Sequence, residues 1–171
     1  MHDPDLERQL EEHHEAAFGW ALSCCGWDRA TAQDVLQTAY LKVLQGRAKF
    51  AGRSSFRTFL FGVIRRTAAE HRRAGMLRRV LPLSRLDGRP EGRSSEIDPA
   101  MAVERSEEAA RLVAALRALP GRQREVLHLV FYQDLSIAEA AEVIGVSLGT
   151  ARTHYERGKQ RLRGLLGGKR G

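Results

Sequence analysis

Residues 136–162 read SIAEAAEVIGVSLGTARTHYERGKQRL, and the punctuation of this stretch decides the fold. Ser136, with Glu139 three places on, forms a capping box. The hydroxyl takes the amide of the third residue, and the carboxylate reaches back to the serine amide. Gly145 suits the left-handed position that ends a short helix. Val146 is the apolar anchor after the turn, and Ser147 caps the next helix. Ala141 stands four residues before Gly145, where only a small side chain lets two helices cross closely. This is the pattern of a helix-turn-helix, whose second helix enters the major groove of DNA. In that helix Leu148, Ala151, Tyr155, Gly158 and Leu162 follow i+3/i+4 spacing and are expected to face a core. Thr150, Arg152, Thr153, Glu156 and Arg157 fall on the other side. Arginine reads guanine edges there, and threonine meets a thymine methyl or a phosphate. Lys159, Arg161 and Arg163 extend the basic surface toward phosphates. Glu156 either selects cytosine or pairs with Arg152 or Lys159. The competing reading, a plain helical hairpin with a solvated basic face, leaves the caps, the glycine and the small alanine unexplained.

The rest of the chain is helical in character too. Ala, Leu, Glu, Arg and Gln dominate and alternating strand patterns do not appear, so the fold class is all-α. A first helix is expected from about Asp5 to Ser23, with Leu6, Leu10, Ala17 and Trp20 or Ala21 inward, broken by Gly26 and Trp27. A second starts near Asp28 or Thr31 and ends at Gly46. The loop 46–55, GRAKFAGRSS, precedes a third helix capped by Ser54 or Ser55 and running to about Arg73, with Phe56, Phe59, Leu60, Val63 and Ile64 as its apolar stripe. Pro82, Pro90 and Pro99, among glycines and serines, then read as a linker on which Leu77, Val80, Leu81 and Leu83 offer transient contacts. Helical pattern returns at about 102–119, and Pro120 fits the first turn of a helix reaching about Tyr132. The expected architecture is two small helical domains, 1–75 and 105–171, joined by a flexible linker, 76–104.

The chain has 171 residues, enough for one medium domain or two small ones. No apolar run approaches 18 residues, and the acidic N-terminal stretch lacks the apolar centre of a secretory leader. The two cysteines, Cys24 and Cys25, are adjacent, which excludes a disulfide framework and fits a reducing cytosol. They are read as ordinary buried thiols, with thiol sensing, or a metal site shared with His13 and His14, as the rival. No zinc-type cysteine spacing, phosphate loop or hydrolase motif occurs, so an enzyme is the weaker expectation, with no catalytic residue, metal or cofactor. The net charge of +7 is unevenly spread. Residues 1–40 carry −6, 41–75 carry +8, 76–110 carry −1 and 111–171 carry +6. Two basic blocks imply two contacts with a polyanion. Within 42–73 the cations are interleaved with Phe50, Phe56, Phe59 and Phe61, a mixture suited to single-stranded DNA. Periodicity puts Phe56 and Phe59 in a core and leaves Phe50 the freer ring. His128, on an apolar helix, reads as a core histidine, and Trp20 and Trp27 as core anchors.

Both halves resemble one family. Residues 32–42, AQDVLQTAYLK, are similar to AEDLVQETFLK, and 50–60, FAGRSSFRTFL, to FxGxSSFRTWL. Leu119-Pro120, residues 123–127 (QREVL) and the helix-turn-helix resemble LPxxQREVL followed by EIAExLGVSxGTV. These are regions 2 and 4 of bacterial sigma-70 factors of the extracytoplasmic-function (ECF) group. The resemblance implies a cytoplasmic sigma factor that binds core RNA polymerase and directs promoter recognition, −10 melting and initiation. It places Asp34, Gln37, Thr38 and Leu41 on the β′ clamp. Lys49, Phe50, Arg53, Ser54, Ser55, Arg57, Arg65 and Arg66 fall on the melted −10 element. Ser147, Gly149, Thr150, Arg152, Thr153, Glu156, Arg157 and Lys159 fall on the −35 duplex, with the second domain also on the β flap. An anti-sigma factor, often a membrane protein, is the further partner it implies. The chain departs from the pattern at Gln33, Leu44, Phe59, Arg66 and Glu70, and at Ala151, Tyr155 and Glu156 in the last helix. A stand-alone helix-turn-helix regulator is the alternative, but it leaves the 32–60 motifs without a role.

Overall fold

A computed structural model describes residues 3–80 and 107–168. The segment 81–104, which holds Leu81, Leu83 and the three linker prolines, lies outside the described residues. Helix α1 spans Pro4–Glu12, with Asp3 capping it through the amides of Asp5 and Leu6. Helix α2 spans His14–Cys24 and α3 Arg29–Leu44, the latter capped by Asp28. Helix α4 spans Phe56–Val80. Helices α5, Glu107–Arg117, and α6, Gly121–Leu127, follow, and a π-turn over His128–Tyr132 prolongs α6. Helices α7, Ile137–Ile144, and α8, Leu148–Gly167, form the helix-turn-helix. The chain is all-α, as expected.

Three boundaries differ from the sequence reading. The single helix expected over about 5–23 is split at His13, whose backbone leaves helical geometry (φ −99°, ψ 5°). The break lets the two histidines serve tertiary contacts. His13 stacks on Phe56 at 6.0 Å between ring centroids, and His14 Nδ1 lies 3.1 Å from the Tyr40 hydroxyl. Helix α4 passes the expected end at Arg73 and takes residues 76–80 from the expected linker. Gly75 costs it only about 1 kcal/mol, and Arg78 and Arg79 suit the negative end of the helix dipole. Pro120 caps α6 rather than sitting inside its first turn.

The helix-turn-helix is built as its residues dictate. The Ser136 amide donates to Glu139 Oε2 at 2.7 Å, and the Glu139 amide to Ser136 Oγ at 3.1 Å. Gly145 sits at φ +71°, a left-handed position that favours glycine. Gly158 allows α6 and α8 to touch: a Cβ there would lie 3.1 Å from Leu127 and 3.3 Å from Gln123.

The two helical units pack against each other. Leu10, Ala17, Trp20, Val35, Ala39, Leu60, Phe61 and Ile64 from the first unit share one buried cluster with Val126, Leu129, Leu135, Ala140, Val143 and Ile144 from the second. A smaller cluster of Leu116, Leu119 and Leu127 is closed by Trp27, from the turn after α2, with Tyr155 and Leu162. Trp20 is fully buried. Its ring lies 6.1 Å from Phe61 and 5.5 Å from His128, and its Nε1 donates to the Phe61 carbonyl at 3.0 Å. His128 is the core histidine expected. Its Nε2 lies 3.3 Å from the Gln133 amide nitrogen, which makes the imidazole an acceptor and therefore neutral. Burial pushes its pKa down to about 4.

Two stability predictions follow from this packing. Gly158→Val is expected to cost about 1–3 kcal/mol by overpacking against Leu127. Gly164→Ala, with nothing within 4 Å of its added methyl, is expected to gain about 0.5–1 kcal/mol. Urea unfolding at neutral pH checks both. The folded pKa of His128 lies below its unfolded value, so the unfolded chain binds the extra proton. Stability is therefore expected to fall as pH drops from about 6.5 to about 4, by up to about 3 kcal/mol. The same titration on His128→Gln should lose this component.

Candidate nucleic-acid interface

Helix α8 presents the face that the helix-turn-helix reading requires. Ser147 Oγ accepts the Thr150 amide at 3.1 Å and fixes the first turn. Ala151 and Gly158 are buried, while Tyr155 and Leu162 are half-buried. Leu148, expected inward, is 39% exposed at the mouth of the helix. Its place in the first turn lies beyond the edge of the core. Ser147, Gly149, Thr150, Arg152, Thr153, Glu156 and Arg157 are all exposed. The Thr153 hydroxyl donates to the Gly149 carbonyl at 3.1 Å. Of the choices left open for Glu156, the structure takes the ion pair with Lys159, at 3.1 Å. Lys159 Nζ also lies 4.3 Å from the centre of the Tyr155 ring. Glu156 is exposed and Lys159 half-buried; a pair open to water on one side is weak, so the lysine can exchange its partner when an anion arrives.

The loop 46–55 turns at Gly46 and Gly52, both left-handed. It ends where Ser55 Oγ accepts the Thr58 amide at 3.1 Å, so Ser55 rather than Ser54 caps α4. Lys49, Phe50, Arg53 and Ser55 are exposed, and Ser54 is half-buried. Phe50 is the freer ring, as expected. It leans on Phe56 and Phe59 at 5.7 and 5.3 Å between centroids, which makes a small aromatic shelf beside the loop cations. Base stacking needs such a platform.

The arginines of α4 divide. Arg66 is exposed, whereas Arg57 and Arg65 face the second unit. The Arg57 guanidinium donates to the backbone carbonyl of Gln133 and, at 3.0 Å, to its Oε1. Arg65 Nε donates to Glu125 Oε1 at 2.9 Å and its Nη2 to Oε2 at 3.4 Å, a forked pair with both side chains largely buried. Gln133 also donates to the Ala16 carbonyl at 3.2 Å. Nothing local in the sequence signals these partners, which lie 60 and 76 residues away.

A second surface lies on α3, where Asp34, Gln37, Thr38 and Leu41 are all exposed. Beside it runs a groove of about 490 Å³, lined by His14, Phe18, Leu36, Tyr40, Leu41 and Leu44 together with Arg29, Gln33 and Gln37. Sequence reasoning found the α3 side of this groove and missed the α2 side. Leu44, at the C-terminal end of α3, is 41% exposed.

Cys24 is buried and Cys25 half-buried, and both thiols are free. Burial is the main cause that pushes the Cys24 thiol well above its ordinary range and Cys25 up to about 11. Such thiols stay protonated at neutral pH and are poor nucleophiles. Among the described residues no three His, Cys, Asp or Glu side chains are grouped to hold a metal ion. No described helix is long and apolar enough to cross a membrane.

Known proteins resemble both parts of the chain. Residues 10–77 match the family described as Sigma-70 region 2, and 109–162 match Sigma-70, region 4. The chain is 29% identical over 133 residues to RNA polymerase sigma factor YlaC of Bacillus subtilis, a match covering 78% of this chain and 76% of that protein. It is 31% identical over 137 residues to ECF RNA polymerase sigma factor SigX of the same organism, covering 80% and 71%. Its fold is similar to that of the sigma factor RpoE of Bartonella quintana, solved in complex with the anti-sigma factor NepR. There the TM-score is 0.73 at 22% identity, covering 98% of this chain and all of that one. The chain belongs to the sigma-70 family, in its ECF group.

Proposed function

We propose that this ECF sigma factor divides promoter recognition between its two units and leaves the chemistry to the polymerase. Helix α8 reads the −35 element as duplex through Arg152, Arg157 and the threonines, while Ser147, Gly149 and Lys159 meet the adjoining phosphates. The 46–55 loop and the start of α4 hold the melted −10 strand through Lys49, Arg53, Ser54, Ser55 and Arg66, with Phe50 as the stacking ring. Arg57 and Arg65 join them once their present partners release them. Asp34, Gln37, Thr38 and Leu41, with the groove beside them, take the β′ clamp, and the second unit takes the β flap. The protein acts in the cytoplasm. An anti-sigma factor, which the complex of the matched RpoE supports, competes for these surfaces.

The observation that carries this reading is the exposed polar face of α8, set opposite a buried Ala151 and Gly158 and fixed by the Ser147 cap. A helix so held can enter a major groove without losing its own packing. The β′ assignment rests on a different physical argument, an exposed acid beside an exposed apolar groove. Such a surface suits a partner helix with a basic and an apolar face.

The test is transcription in vitro with the purified chain, sigma-free core polymerase and fragments of the source genome. New start sites that depend on the chain are expected, and their absence with active core would refute the proposal. Arg152→Ala is expected to cost about 1–3 kcal/mol in binding of the duplex −35 element, with core binding unchanged. Asp34→Ala is expected to weaken core binding by more than about 1 kcal/mol, with duplex binding unchanged. Titrations of each variant against core and against duplex check the split. Equal losses in both assays would refute it.

A further inference from the structure

We propose that Glu156 is a specificity-determining residue of α8, selecting a cytosine in the −35 element and rejecting guanine and thymine there. This role rests on the duplex reading given to α8 above and goes beyond it by assigning a base to one side chain. At roughly 100° per residue, Glu156 falls between Arg152 and Thr153 around the helix and lies nearly opposite the buried Gly158. It therefore occupies the centre of the exposed stripe, with its side chain 63% open to water. A carboxylate in the middle of a surface that meets phosphates is repelled by each of them. Within the chain it is neutralised by Lys159, whose ammonium lies 3.1 Å from Glu156 Oε1.

Lys159 is held at the edge of this stripe. Its side chain is only 24% exposed, and its Nζ rests 4.3 Å from the centre of the Tyr155 ring, which is stacked on Phe131 at 5.9 Å. From that position the ammonium takes a phosphate beside the groove, and in doing so releases Glu156. The released carboxylate faces the base edges without a counter-charge, and it can only accept hydrogen bonds. In the major groove cytosine offers its N4 amino donor, and adenine an N6 donor beside the N7 acceptor. Guanine and thymine turn acceptors toward the helix, O6 and N7 in one and O4 in the other. Cytosine N4 satisfies the carboxylate, whereas guanine or thymine leaves it desolvated, unpaired and repelled. Discrimination thus comes as much from the penalty on the wrong bases as from the bond to the right one. The expected order at the base it faces is cytosine, then adenine, then guanine and thymine.

The test uses holoenzyme, the full chain with core polymerase, on a promoter found by the transcription assay above and randomised across its −35 region. Sequencing the bound and unbound duplexes gives the base preference at each position. The wild-type chain is expected to prefer cytosine over guanine or thymine by about fivefold or more at one position of one strand. Glu156→Ala is expected to flatten that position and no other. Glu156→Gln, whose amide can donate to guanine or thymine, is expected to lose the rejection of both while still admitting cytosine. Lys159→Ala is expected to keep the cytosine and to weaken all sequences alike, with the salt dependence reduced by about one phosphate contact. Charge alone predicts that Glu156→Ala tightens every sequence equally, and a merely structural role predicts that every position blurs. Either result, or an unchanged profile, overturns the assignment. Rejection of guanine and thymine that survives in Glu156→Gln overturns it as well, and so does loss of the cytosine in Lys159→Ala. A flat wild-type profile with chain-dependent transcription overturns the duplex reading by α8, and no chain-dependent start site with active core overturns the sigma reading beneath both.

Discussion

Helix α4 is buried on every side in its second turn, and the arrangement of both units depends on that. Residues 60–64 are all buried, so over more than one turn no direction faces water. A helix apolar all round must be covered all round. Helices α2 and α3 pack on it from the first unit and α7 from the second, with Leu129 of the π-turn in the same buried cluster. Trp20 sits where these layers meet, its ring against Phe61 on α4 and His128 on the π-turn. Exposing the α7 side of α4 would return Val126, Leu129, Ala140, Val143 and Ile144 to water along with it. Apolar burial at about 25 cal/mol per Å² therefore works for closure, while the ion pairs choose its register.

What was legible in the sequence was local. The Ser136–Glu139 box, Gly145 and Ser147 each specify one conformation within four residues, and the backbone follows them. Membership of α4's core was only partly legible. The stripe of Phe56, Phe59, Leu60, Val63 and Ile64 describes a helix buried on one face, yet the run FLFGVI over 59–64 has no polar position at all. Phe61 and Gly62, outside the stripe, are fully covered, and they announce a second covering layer. The run was visible, but the layer that covers it lies far away in the chain. The split at His13 was hidden for the same reason. No glycine or proline marks it, and Phe56 and Tyr40, which hold the two histidines, are distant in sequence.

Electrostatics shows why charge counted along a chain differs from charge presented to a ligand. The block 41–75 carries +8. Lys42 pairs with Glu70, Arg65 with Glu125, and Arg57 and Arg72 are turned onto backbone carbonyls, Arg72 reaching that of Cys24 at 3.1 Å. Carbonyls leave the charge formally in place; Arg57 is half-buried and Arg72 exposed. The surface left free to meet a nucleic acid is less basic than the sequence. A largely buried pair such as Arg65–Glu125 adds little net stability against its desolvation cost. What it contributes is a penalty on misregistered packing, because a slip would strand one charge without its partner.

Exposure is unequal among the three working surfaces, and the inequality has a direction. The polar face of α8 and the acid-bearing face of α3 are open in the closed state, whereas two arginines of α4 are covered. Duplex DNA exists before any melting, and a single strand exists only after it. Glu125 lies within the same QREVL segment that marks the second unit, and Arg65 lies one residue past the apolar run that marks the first. The groups that close the molecule are thus embedded in the packing motifs themselves. Any event that parts the two units must expose apolar surface and release cations together. A partner able to cover the apolar side of α4 while a polyanion takes its arginines satisfies both demands at once.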